Sequence, residues 1–140
     1  MHAKELIESG RYTCVGQRGT GTLFALRGNG IKPLILLYET APGLLAGTVL
    51  HDKVIGKAAA MMAVLAGVSS IWGNIMSQSA IDFLTARGVP HSYGTRVERI
   101  TNRMGDGICP LEATVLPIDD PAEAYPALKA KIADLMAGRA

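Results

Sequence analysis

Cysteine is scarce. The 140 residues hold two, Cys14 and Cys109, separated by most of the chain. Neither spacing nor context builds a secreted disulfide framework, so both are expected as free thiols. No apolar run is long enough to span a bilayer; the longest, Ala58 to Val68, follows Gly56-Lys57 and reads as a buried helix. Residues Met1 to Gly10 mix charged and apolar types and lack the apolar centre of an export signal, which points to a cytoplasmic protein that engages no membrane. An excess of one charge is missing too. The 14 basic and 12 acidic residues are interspersed and leave a net charge of +2, too weak a field to gather polymeric nucleic acid, so any basic function is local.

What is present fits one ordered domain over residues 1–140. Hydrophobic residues make up 49% and charged residues 19%, enough apolar mass for a single core without metal or disulfide staples. Residues His2 to Ser9 carry helical spacing and Gly10 supplies a stop. Tyr12 to Gln17 and Thr22 to Arg27 read as strands joined through Arg18-Gly19-Thr20-Gly21. A short helix is expected over Ile31 to Glu39, with Pro33 in its first turn, and a brief β segment over Thr48 to Leu50. Asp52 then reads as the cap of a long helix, Lys53 to Ala66, that ends at Gly67 and centres the fold. Beyond it come a strand over Ser70 to Met76, a helix from Ser77 to Gly88 and a strand within Val89 to Ile100. Thr101 to Gly107 reads as a polar loop, Cys109-Pro110-Leu111-Glu112 as a helix start, and Ala127 to Met136 as a last amphipathic helix after Pro117, Pro121 and Pro126. Alternation of strands and helices implies an α/β protein whose first two strands form an antiparallel hairpin.

Three segments in order, Gly30-Ile31-Lys32-Pro33-Leu34, Asp52 through Ala60, and Asn102-Arg103 through Glu112, resemble family 1893 of the domains of unknown function, roughly over residues 3–116 with 117–140 as a helical tail. That resemblance implies a cytidine deaminase-like fold: a three-layer α/β sandwich, a mixed sheet of about five strands flanked by helices. It implies architecture without chemistry. A zinc deaminase needs a His or Cys and two further Cys around its metal, plus a Glu that shuttles protons. In the most generous register Lys53 stands where that Glu belongs, and Ser77-Gln78-Ser79 stands where the Cys pair belongs. Hydroxyls are poor zinc ligands, so no metal and no other cofactor is expected.

The candidate site residues are Asp52, Lys53, Lys57, Asn102, Arg103, Cys109 and Glu112. Lys53 and Lys57, one helical turn apart, would face an anion at the helix start, or else Asp52 only caps and the lysines form a solvated stripe. Cys109 sits at a helix N-terminus that favours a thiolate; it is either a nucleophile or a structural thiol, and Glu112 has the spacing to bond back to its backbone. Either Arg103 holds a carboxylate or phosphate that Asn102 orients, or the loop is a tight connection whose Asn102 and Asp106 satisfy their own backbone. His51 lacks a ligand partner at metal spacing and reads as a helix-flanking residue, while Trp72, Cys14 and the Met61-Met62 pair read as core. The preferred reading is a metal-free binding protein for a small anionic metabolite, such as a nucleotide. The alternatives are a non-zinc transferase or hydrolase on a nucleotide-like substrate, using Cys109 or Lys53, and a module that forms a homodimer through helix faces.

Overall fold

The computed structural model describes residues 2–28, 30–102 and 104–138. Its elements run α1 (Ala3–Glu8), β1 (Cys14–Arg18), β2 (Gly21–Leu26), α2 (Lys32–Thr40), a 3-10 turn (Pro42–Leu44), β3 (Val49–Ile55), α3 (Lys57–Leu65), β4 (Ser70–Ser77), α4 (Gln78–Ala86), β5 (His91–Val97), α5 (Pro110–Val115) and α6 (Pro121–Met136). The strands form one five-stranded mixed sheet in the order β2-β1-β3-β4-β5. The hairpin β1–β2 and the pair β1–β3 are antiparallel, while β3–β4 and β4–β5 are parallel and are crossed over by α3 and α4. This is an α/β fold, as the alternation of elements implied.

Its layers are unequal. Leu34 and Ile35 of α2, Met61 and Met62 of α3, Leu84 of α4, Val115 of α5 and Leu128 of α6 all join one core with Leu50 and Ile71 of the sheet. Among the described residues the other face is covered by α1 alone, whose Ala3 and Ile7 pack on Val15 and Trp72. Helix α3 is the hub. Residues Lys57 to Ala63 are all buried, the mark of a helix enclosed on every side. Gly67 and Gly88 follow α3 and α4 with φ of +80° and +67°, the left-handed conformation that ends a helix at glycine's low cost.

Two boundaries differ from expectation. The long helix does not begin at Lys53: Val49–Ile55 is strand, paired with β1 on one side and β4 on the other, and α3 starts at Lys57 with Gly56 as its N-cap. Two neighbouring strands satisfy the backbone of residues 49–55 and override local helix preference. The last helix starts at Pro121, six residues before Ala127, because Asp120 caps it by accepting from the Ala122 N–H at 2.9 Å and Pro121 occupies the first helical position. It packs Ala124 and Leu128 into the main core.

Candidate functional site

The start of α3 lies just past the carboxyl end of β3, where ligands of open α/β sheets commonly bind. Gly56 caps without a side chain, so the first N–H groups of the helix need a partner from elsewhere. Glu112 supplies it. Its Oε1 accepts from the Lys57 N–H and its Oε2 from the Ala58 N–H, both at 2.8 Å. The carboxylate fits because residue 56 is glycine: a Cβ there would lie 2.4 to 2.6 Å from the Glu112 carboxyl atoms. Burial pushes the Glu112 carboxyl above its ordinary pKa, opposed by the two N–H groups and the Lys57 charge.

Glu112 thus ties the end of segment 102–112 to the start of α3. The predicted contacts differ in detail. Asp52 caps no helix; it lies within β3, buried, in register with Cys14 on one side and Gly73 on the other. Its Oδ1 accepts from the Val54 N–H at 3.3 Å. Burial pushes its carboxyl up to about 7, against the N–H groups of Val54 and Lys53 and the Cys14 thiol, which favour the charge. Burial, reinforced by the Asp52 carboxylate, raises the Cys14 thiol. Lys53 is an exposed strand residue and shares no helix face with Lys57. Lys57 is buried, and its Nζ donates to the Leu116 carbonyl at 3.0 Å. A contact of 3.8 Å to Asp119, whose side chain is 99% exposed, adds little.

Glu112 does not bond back to its own helix, because its carboxylate is committed to α3. Cys109 does occupy the N-cap of α5, partly buried, with no capping bond from its thiol, on a helix of six residues. Asn102 Nδ2 donates to Asp106 Oδ1 at 2.9 Å, and Asn102 Oδ1 accepts from the Asp106 N–H at 3.2 Å, so this loop satisfies itself. Arg103 lies outside the described residues.

A different cluster sits at the opposite end of the parallel strands. Beneath α1, Lys4, His51, Ser70, Trp72, His91 and Ser92 line a pocket of about 300 Å³. His51 does not flank a helix; it is in β3, in register with Val15 and Trp72, and only 6% exposed. Its ring centroid is 5.8 Å from that of Trp72. Its Nδ1 is buried without a hydrogen-bond partner among the described residues. Burial lowers the His51 pKa, helped by the Lys4 charge and opposed by the Val49 carbonyl. The Lys4 ammonium stands 5.5 Å from the Trp72 ring centroid, within cation–π range. His91 stands at the rim, in register with Ile71 and so on the face opposite Trp72: its Nδ1 is 2.8 Å from the Val89 carbonyl and its Nε2 3.5 Å from Thr85 Oγ1 of α4. Reading the sequence element by element missed this group, since its members come from α1, β3, β4 and β5. The one available signal was that His51, Trp72 and Ser92 fall early in successive strands.

A second groove, between α2 and α6, is lined mainly by apolar side chains; of its charged residues Lys32, Glu39 and Lys129, the last two pair with each other at 2.8 Å. No three His, Cys, Asp or Glu residues converge as a metal set among the described residues, and no described helix is long and apolar enough to cross a membrane. The residues at the two helix starts, Gly56-Lys57 and Ser77-Gln78, do not fit zinc: the Ser77 hydroxyl accepts from the Ala80 N–H at 3.2 Å as the cap of α4.

The fold and its internally held carboxylate define an α/β domain with a closed α3 seat and an open basic pocket under α1. The family model described as Domain of unknown function (DUF1893) matches residues 2–132, and the chain belongs to that family. The crystal structure of a DUF1893 family protein from Thermotoga maritima is similar to it with a TM-score of 0.83 and 26% identity, over 92% of this chain and 86% of that one. No curated protein matches.

Proposed function

We propose that the protein binds a small anionic metabolite, such as a nucleotide or sugar phosphate, in the pocket beneath α1, on a deaminase-like architecture that performs no zinc-dependent hydrolysis. The strand order β2-β1-β3-β4-β5, with a leading antiparallel hairpin, supports the architectural part. The observation that carries the binding part is the pocket itself: Lys4 and His51 bring two basic side chains to about 300 Å³ of space, beside the hydroxyls of Ser70 and Ser92. That volume lies at the small end of metabolite sites. Ammonium, imidazole N–H and hydroxyl donors are the groups that recognise phosphate or carboxylate oxygens.

The α3 start supports the same reading by elimination. It is built to hold an anion, and Glu112 already fills it at the high effective concentration of a tethered group. The enzymatic alternative has weaker support. An imine-forming lysine works when desolvated, whereas Lys53 is exposed, and the Cys109 thiol has no base placed against it by any described contact.

Thermal denaturation with inorganic phosphate and with a nucleoside monophosphate tests the reading. A ligand at a hundredfold excess over its dissociation constant stabilises by about 2.7 kcal/mol. The expected result is stabilisation of the native protein that disappears in the Lys4→Ala, His51→Gln double variant. Equal stabilisation of both proteins, or none of either, overturns it.

A further inference from the structure

Strand β5 closes one edge of the sheet, and no described residue pairs with its outer side. Five of its seven residues, Ser92 to Arg96, are exposed, although the strand is fully in register with β4. Natural sheets protect such an edge with a bulge, an internal proline, a lysine or a covering helix. The opposite edge has a bulge, between Gly16 and Gln17 in the β1–β2 pairing. The stretch His91-Ser92-Tyr93-Gly94-Thr95-Arg96-Val97 has none of these devices. Its one formal charge, Arg96, is bound within the chain to Glu98 at 2.5 Å and to Gln78 at 3.2 Å.

We propose that β5 is a homodimer interface, at which β5 of a second copy pairs antiparallel across a two-fold axis at Gly94 and joins the two sheets into one of ten strands. A two-fold axis between identical strands requires antiparallel pairing, and the same patch serves both copies. Among registers, only the one centred on Gly94, the midpoint of residues 91–97, pairs every residue of the strand. The sequence suits that register. Tyr93 stands opposite Thr95 of the partner subunit, twice over, an aromatic–β-branched pair of the kind that stabilises sheets. Arg96 stands opposite Ser92 of the partner subunit, so like charges do not meet. A register centred on Arg96 would oppose two guanidinium groups, and one centred further toward Pro90 would meet a residue without an N–H. Val97 of the partner subunit then stands opposite His91, at the rim of the pocket beneath α1.

Sedimentation equilibrium on the full chain, with paired substitutions at exposed positions, tests the interface. The native protein is expected at twice the mass of the chain. Tyr93→Lys with Thr95→Lys sets like charges across both pairs and is expected to weaken the dimer at least tenfold without changing the circular dichroism spectrum. Tyr93→Lys with Thr95→Glu sets opposite charges across the same pairs and is expected to restore it. A native monomer at all concentrations overturns the inference. So does a dimer indifferent to the double lysine variant, or equal loss in both double variants.

Discussion

Glu112 shows how much one side chain decides here. It is 4% exposed, and its two oxygens satisfy two buried N–H groups that the sequence of α3 leaves without a cap. Glu112→Ala is expected to cost about 2–4 kcal/mol in urea unfolding, since each buried donor left unpaired costs about 1–3 kcal/mol and new water recovers part of it. A loss under 0.5 kcal/mol would mean the seat is not structural. Asp52 gives a prediction with a definite sign. Its folded pKa, near 7, is above the ordinary 3.8, so between those values the native state holds a proton that the unfolded state has lost. Stability from this residue is therefore greatest in acid and falls as pH rises from about 4 to about 7, by about 4 kcal/mol at most. The difference in unfolding free energy between the native protein and Asp52→Asn isolates that component; a difference that grows over this range would contradict the assignment. The two thiols should separate cleanly as well. Cys14 is 1% exposed with its thiol pushed up, while Cys109 is partly buried, so iodoacetamide should label Cys109 in the folded protein and Cys14 only on unfolding.

At the scale of elements, much of the fold was legible from local signals. Gly10, Gly67 and Gly88 end helices where expected, and Ser77 caps α4. Pro110 starts α5. These positions are set by residues within a few places in sequence. The β3–α3 boundary was not legible, because Asp52-Lys53 has the local look of a helix start while the true cap, Glu112, is 55 residues away from Lys57. Strand pairing on both sides of residues 49–55, invisible in one sequence, decided the rest. The same distance hid the candidate site: four elements supply the pocket beneath α1, and nothing local marks Lys4 as a neighbour of His91. A double-mutant cycle tests the boundary. Gly56→Ala puts a methyl group into the Glu112 carboxylate and is expected to destabilise by about 2 kcal/mol or more, as crowding of a packed site does. In the Glu112→Ala background that cost should fall by more than half; strict additivity would mean the two residues do not meet.

For the whole molecule, the unequal layers set where function can reside. Among the described residues five helices cover one face of the sheet, Glu112 closes the carboxyl end of β3, and the pocket beneath α1 has the polar and aromatic lining. A ligand bound there would lie at the end of the parallel strands opposite the carboxyl ends that open α/β sheets usually use. The chain's single tryptophan, Trp72, lines the pocket and serves as its natural reporter. Titration of Trp72 fluorescence with a nucleoside monophosphate and with inorganic phosphate tests the account most directly. The prediction is a saturable change for at least one of them in the native protein that is absent in the Lys4→Ala, His51→Gln variant. An unchanged signal with both ligands, or the same saturation in both proteins, would contradict it.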